Sequence, residues 1–433
     1  VSQSNAATSV TVNDSASIGA YADGKVGIGA AVTTKLNITG GTITAKGGAF
    51  NTYAANSGII TLNGATLNTE PKSLAFYTTD NGKIDFGTGT TKTTANIKGG
   101  TDSNSRGTAF LYKGTGASYS KFDSKEISKW AAANFAHLNN LKLVMETGSR
   151  LFIAQNVAMD LSGTAPGGIA GALPGVTFTG SNDYKTFMLY LSKLTINQDV
   201  DLNNTTDGYN HLEIANSSIT NANTKTITGT KADQVAMAQE NDRALYHRND
   251  VVLSNEGTIN LSGAGSTGMY AKFGELYNKA IGVMTIGDKS TAIYGIDDSL
   301  IENAGKITIG SNSTGLYSEG STSQTIKNTG TIETSGNDSV AISYKPDAGL
   351  GSGTVLENTG KITMTGDRNT AVYATGTPGY TAKNSGTITL GDSASITSPN
   401  VGLYTDHNSV PLQNTGKIES GKNTIGVYGH NVE

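Results

Sequence analysis

The sequence has no cysteine among its 433 residues, which excludes disulfide frameworks and thiolate metal sites. A cysteine-free chain of this size also suits a protein that crosses an oxidising compartment unfolded. Proline is scarce, at 7 residues, and tryptophan occurs once. Charged residues make up only 15% and sum to a net charge of −4, so there is no basic footprint for nucleic acid. No stretch of about 18 apolar residues is present that could cross a bilayer as a helix. A hydrophobic content of 36% is low for a compact globular core. The start, Val1-Ser2-Gln3-Ser4, lacks the charged and apolar regions of a signal peptide, and the closing Val427-Tyr428-Gly429-His430 stops inside a repeating unit. The chain therefore reads as a piece of something longer.

What is abundant is glycine, at 55 residues, together with Asn, Ser, Thr and the β-formers Ile, Val and Tyr. Low charge combined with β-formers argues against disorder. From about residue 250 a unit recurs: Asn-x-Gly-x-Ile, a polar turn, then a small residue and an aliphatic-Tyr pair. Copies begin at Asn255, Asn303, Asn328, Asn358, Asn384 and Asn414, with a degenerate one at Asn278. The companion tyrosines are Tyr270, Tyr294, Tyr317, Tyr344, Tyr373, Tyr404 and Tyr428. Successive asparagines are 23, 25, 25, 30, 26 and 30 residues apart, the signature of solenoid coils with loops of variable length.

The residue types explain the coil. Ile259 and Leu261, or Ile307 and Ile309, alternate with polar residues, as in a strand with one buried face. Asn-x-Gly marks a tight corner, since both residues tolerate left-handed backbone. Stacked coils would bring asparagine onto asparagine and tyrosine onto tyrosine, and each coil buries its face only against its neighbours. The tyrosines have two readings: a structural ladder of ring on ring, or an exposed stripe for sugar rings. Lys306, Lys361 and Lys417 share one repeat position and predict a row of spaced surface charges.

Residues 1–120 carry the same grammar loosely, as in Asn37-Ile38-Thr39-Gly40-Gly41-Thr42-Ile43 and Phe110-Leu111-Tyr112. Over 121–200 the pattern breaks. Asp123 or Ser124 can cap a helix in which Ile127, Trp130, Ala131, Phe135 and Leu138 fall at helical spacing, ending near Asn139. Pro166-Gly167-Gly168 and Leu173-Pro174-Gly175 read as loop. The expectation is an all-β, right-handed parallel β-helix (a β-solenoid): coils over 1–120, a partly helical insertion over 121–200, and regular coils over 201–433 with an irregular patch near 231–250. Insertions are where solenoids display binding sites, so Trp130, Tyr184 and Tyr190 are the ligand-binding candidates. The bland alternative is that the insertion covers the side of the coil with Trp130 packed beneath it.

Enzymatic chemistry finds little footing. Polysaccharide-cleaving β-helices need clustered carboxylates, or a base beside Ca²⁺, on neighbouring coils. Here Asp160, Asp201, Glu213, Asp288 and Glu333 are scattered, and the tightest pair, Asp297-Asp298, reads as solvated loop. His137, His211, His247, His407 and His430 lack metal-site spacing, and Gly24-Lys25-Val26-Gly27-Ile28-Gly29 has no following helix. No catalytic residue, metal or cofactor is assigned, and the expectation is a non-enzyme.

At Asn303 to Tyr317 and Asn414 to Tyr428, the wording Asn-x-Gly-Lys-Ile followed by Gly-Leu-Tyr or Gly-Val-Tyr resembles the passenger domains of large type V (Va) autotransporters. It is most similar to the fusobacterial adhesins, the family of the arginine-inhibitable coaggregation adhesin and the galactose-binding adhesin. The resemblance covers 250–433 well and 1–120 loosely, and brings no binding motif residue by residue. It implies a secreted virulence factor at the bacterial cell surface, anchored by an outer-membrane β-barrel absent from this sequence. It also implies cell adhesion through a host receptor or glycan, or a surface protein of another bacterium. A stalk with its binding tip elsewhere and a polysaccharide-active enzyme are the rival readings.

Overall fold

The structure, a computed structural model, describes residues 2–4, 8–24, 33–102, 104–114, 120–161, 173–203, 212–241, 251–297, 299–320, 324–346, 353–375, 380–405 and 411–429. The chain is a parallel β-helix, and its strands fall into two compact units, one of residues 1–193 with 206–214 and one of 194–205 with 215–433.

In the second unit each coil contributes three strands to three parallel sheets. One sheet runs from Ser218–Asn221 through Val252–Asn255, Glu275–Asn278, Leu300–Asn303, Thr325–Asn328, Thr354–Asn358 and Tyr380–Asn384 to Leu412–Asn414, and its strands end in asparagine. The second aligns Ile227, Ile259, Met284, Ile307, Ile332, Ile362, Ile388 and Ile418. The third, from Val235–Glu240 to Thr424–Tyr428, carries the tyrosines. Alternation sends Ile259, Leu261, Ile307 and Ile309 into the interior, where all four are buried, as the period-2 pattern requires.

The asparagines form one continuous amide ladder. Asn221 Nδ2 donates to Asn255 Oδ1 at 2.8 Å, Asn255 to Asn278 at 2.8 Å, and Asn278 to Asn303 at 2.7 Å. Asn303 then donates to Asn328, Asn328 to Asn358, Asn358 to Asn384 and Asn384 to Asn414, each at 2.7 Å. Asn278, degenerate in sequence, is a full rung. Asn221 is a rung that the repeat search missed, because no glycine follows two residues later. Every amide donates in the same direction, so the dipoles align and strengthen one another.

The glycine of Asn-x-Gly is there for a different reason than the expected left-handed corner. Gly305, Gly330, Gly360, Gly386 and Gly416 are absent from the residues with positive φ. Instead, a Cβ on Gly330, Gly360, Gly386 or Gly416 would collide with the carbonyl oxygen of Gly305, Gly330, Gly360 or Gly386 in the coil before. Glycine is required by backbone approaching backbone. Left-handed residues do occur, at another corner: Gly265, Lys289, Asn312, Asp338, Arg368 and Asn423 have φ of 74, 55, 54, 57, 56 and 53°. Beside this corner runs a second internal ladder. Backbone N–H groups of Ser266, Ser290 and Ser313 donate to the hydroxyls of Ser290, Ser313 and Ser339, and those of Ser339 and Asn369 donate to the amide oxygens of Asn369 and Asn400.

The first unit is built likewise. Strands Ile18–Asp23, Phe50–Ala55, Leu74–Thr78, Thr108–Lys113, Arg150–Gln155 and Lys185–Tyr190 pair in parallel. Its interior holds a phenylalanine stack, Phe76–Phe110–Phe152–Phe187, with ring centroids 5.3, 5.3 and 5.2 Å apart.

The expected insertion over 121–200 is corrected here. Leu141–Met145 and Arg150–Gln155 pair with the coil before them, and Thr177–Gly180 and Lys185–Tyr190 pair with those strands in turn. The coil therefore continues through the segment, and its apolar runs are ordinary inward strand faces. The helical part spans Ser124–Asn134 and ends earlier than expected. Phe135–Ala136 leaves it to pair with Ile84 and Asp85, and Leu138 lies in a one-turn 3-10 helix. The Asn134 amide donates to the Trp130 carbonyl at 2.8 Å, closing the last turn. Pro166-Gly167-Gly168 and the side chains of the expected cap, Asp123 and Ser124, lie outside the described residues, as do 242–250 of the second irregular patch. Its first half is a regular strand, Val235–Glu240.

Three substitutions separate these roles in urea unfolding. Gly360→Ala is expected to lower stability by about 3 kcal/mol, because the obstacle is backbone. Asn328→Ala leaves buried amide groups of Asn303 and Asn358 without their ladder partner and should cost about 2–4 kcal/mol. Lys289→Gly relieves a left-handed side chain and should leave stability unchanged or raise it by about 1 kcal/mol. A Gly360→Ala chain as stable as its parent would refute the steric account.

Candidate functional site

Strand register sets up the outward face of the tyrosine sheet. Ala238, Tyr270, Tyr294, Tyr317, Ser343, Tyr373, Tyr404 and Tyr428 occupy one outward column. Rings of adjacent coils pack at 5.4 Å (Tyr270–Tyr294), 5.1 Å (Tyr294–Tyr317), 5.1 Å (Tyr373–Tyr404) and 5.2 Å (Tyr404–Tyr428). The two halves differ in geometry. Tyr373, Tyr404 and Tyr428 are stacked within 14 and 5° of parallel, whereas Tyr270, Tyr294 and Tyr317 are tilted by 58 and 42°.

A carboxylate accounts for the tilt between Tyr294 and Tyr317. Their hydroxyls donate to the two oxygens of Glu319, at 2.5 and 2.9 Å. Burial, and then the bond to this carboxylate, push both phenols well above the usual tyrosine range. The phenols stay protonated and the carboxylate stays an acceptor. Lys345, one coil on, lies 4.0 Å from Glu319 and remains largely exposed.

Tyr344 departs from the expected column. In Ile342-Ser343-Tyr344 the tyrosine comes one residue later than in Gly315-Leu316-Tyr317, and a one-residue slip reverses the face. Ser343 takes the outward position and Tyr344 points inward, fully buried, donating to the Gly320 carbonyl at 3.0 Å and packing edge-on to Tyr380 at 5.8 Å. The ladder therefore has one missing rung.

Elsewhere charges pair along the stack. Lys306 meets Glu333 at 2.7 Å, Lys327 meets Glu357 at 3.6 Å, and Arg368 grips Asp338 through two bonds of 2.6 Å. Lys306, Lys361 and Lys417 do lie in one row, spaced by Thr331 and Thr387. Among the described residues no group of three His, Asp or Glu side chains could hold a metal ion, and no helix is long and apolar enough to cross a membrane. Of the sequence-derived acids and histidines, Asp298, His211, His247, His407 and His430 lie outside the described residues. His137 meets Asp85 at 2.6 Å.

The three binding candidates all lie in the first unit, and none is fully exposed. Trp130 is half-buried and meets Phe135 at 5.2 Å, Tyr112 at 5.5 Å, Phe152 at 5.9 Å and Phe110 at 6.1 Å, all edge-on. It is a lid on the phenylalanine stack rather than a protruding aromatic. Tyr184 is half-buried, with its phenol pushed up by desolvation. Tyr190 is half-buried at the end of its strand, where its carbonyl accepts from Asn156 and Ser192. The missing rung was not foreseen, though the order Ser343-Tyr344 where other copies read aliphatic-Tyr was its visible signal.

With this geometry in place, residues 144–353 match the family model of the BigA third pectate lyase-like domain. The chain is similar to that domain over this stretch. No curated protein matches the sequence.

Replacing Glu319 by Gln leaves the burial of the two phenols, the larger cause of their raised range, and removes the second cause, the carboxylate that accepts from them. Tyr294 and Tyr317 should then ionise at lower pH, read as two shifted resonances in an alkaline NMR titration of ring-labelled tyrosine. Unmoved resonances would mean that the carboxylate does not accept from these two phenols.

Proposed function

We propose that this chain is a segment of a surface-displayed bacterial adhesin, an autotransporter passenger that mediates attachment to another bacterium or to a receptor or glycan on a host cell. The observation that carries the reading is the outward tyrosine column. Rigid aromatic rings with polar tips, fixed on strands rather than loops, are the side chains that anchor recognition at low entropic cost. Two further features support it. The similarity to a pectate lyase-like β-helix domain of BigA fits a surface protein of that architecture, and the rings of adjacent coils hold one another in place at 5.1–5.4 Å. In the first unit, the half-buried Tyr184 and Tyr190 are the corresponding contact residues of this reading.

Latex beads coated with the chain test it against the rival stalk reading. Saturable attachment to bacterial or epithelial cells, competed by the soluble chain, is expected. Attachment no greater than that of albumin-coated beads would leave the segment as a stalk.

A further inference from the structure

Ser343 divides the outward tyrosines into two runs, Tyr270, Tyr294 and Tyr317 on one side and Tyr373, Tyr404 and Tyr428 on the other. Within a run the strands are in register and about 4.8 Å apart, and neighbouring rings lie 5.1–5.4 Å from each other. One pair has a further feature. Tyr294 and Tyr317 direct their hydroxyls at the two oxygens of a single carboxylate, Glu319, at 2.5 and 2.9 Å. The hydroxyl ends of the two rings therefore converge on one group, although the ring planes are tilted by 42°.

This arrangement fits the loss of electrons from the pair. Burial and then the carboxylate keep both phenols protonated, so a phenol here gives up an electron together with its proton. The proton acceptor is already in place, a carboxylate within hydrogen-bond reach of the O–H, which is the geometry that proton transfer requires. The Glu319 side chain is 28% exposed, so a proton it takes passes on to water before the second phenol reacts. Both rings are half-buried on the outward face, where a ring turns about its side-chain bonds without displacing the interior.

We infer that Tyr294 and Tyr317 form an oxidative cross-linking site, which closes a dityrosine bond between adjacent coils when the chain meets hydrogen peroxide and a haem peroxidase. Each phenol loses one electron to the peroxidase and its hydroxyl proton to Glu319. The two phenoxyl radicals combine, and one carbon–carbon bond forms between carbons ortho to the oxygens. The hydrogen on each of those carbons then leaves as a proton and each phenol oxygen is reprotonated, which restores both rings. The two electrons reduce one peroxide to two waters, so the chain loses two hydrogens in all. The product ties one coil to the next and leaves the amide ladder untouched. It stands whether the segment binds cells or serves as a stalk.

In the test, the full chain is treated with peroxidase and peroxide, digested, and mapped by mass spectrometry. A peptide pair joining Tyr294 to Tyr317 and lighter by two hydrogens is expected. Tyr317 and Tyr373 should not be joined, because Ser343 separates them. Glu319→Gln keeps an oxygen that accepts a hydrogen bond but gives up the base, and should slow the Tyr294–Tyr317 bond by about tenfold or more. Coupling of Tyr404 to Tyr428, stacked at 5.2 Å and several coils from Glu319, should keep its rate in the same sample. Absence of the Tyr294–Tyr317 product, while free tyrosine in the same tube is coupled, would overturn the proposal. So would a Tyr317–Tyr373 product of equal yield, or dityrosine found only between separate chains. An unchanged Tyr294–Tyr317 rate in Glu319→Gln, or equal slowing of both pairs, would overturn the part given to the carboxylate.

Discussion

The structure depends on one constraint: every coil must lie one β-spacing from the next, at every position, for the length of each unit. The asparagine ladder is where that constraint is most clearly enforced. A primary amide is a donor and an acceptor in one group, so a column of asparagines can satisfy itself by pairing only with its own kind. The bond lengths of 2.7–2.8 Å along the column leave little room for a coil that drifts. Aspartate offers acceptors only and leucine offers neither, so neither can continue the column. The glycine two residues on obeys the same constraint from the steric side, since any Cβ there meets a carbonyl of the coil beneath. One motif thus sets spacing twice, by attraction in the amide and by exclusion in the glycine.

Much of this was legible in the sequence because a solenoid writes its contacts into its period. The strand faces, the asparagine column, the lysine row and most of the tyrosine column follow from position in the repeat. What was not legible is instructive in each case. Asn278 was marked as degenerate because its longer corner displaces the glycine to Gly282, and Asn221 was missed because Lys225 stands where the next coil has Gly257, while the rung itself depends only on the last residue of the strand. The stretch 121–200 read as an insertion because of its helical spacing and its Pro-Gly loops, although its coils carry Phe152 and Phe187 in the column where later coils have Ile, Leu, Val or Met. Phenylalanine stacking obeys the same spacing but disguises the period. Trp130 had two readings, an exposed contact residue or a ring packed against the coil, and edge-on contact with the phenylalanines gives the second.

The tyrosine column separates structural from functional roles more finely than composition can. Where the rings lie nearly parallel, from Tyr373 to Tyr428, ring contact alone dictates the geometry. Where Glu319 takes two hydroxyls, ring contact yields to charge-assisted hydrogen bonds, which are the stronger interaction. Both arrangements sit on the same backbone, so the difference comes from a single acidic side chain in an outward position. Outward positions are the ones the stacking constraint leaves free.

That freedom explains how such a scaffold can acquire a binding feature without losing stability. An inward change must keep both volume and spacing, and a corner change must keep the amide or the glycine. An outward change need only avoid like charges on adjacent coils. The exchange of order at Ser343 and Tyr344 is the one place in the tyrosine sheet where inward and outward residues trade identities. It works because the inward column there is otherwise lined by Ala271, Gly295, Ser318 and Ala374, small residues that leave room for a ring. Tyr380, on the neighbouring sheet, meets that ring edge-on, so the interior gains an aromatic pair where the exterior loses a rung. The scaffold accommodates the exchange internally, and the outer column carries serine in place of tyrosine at that coil.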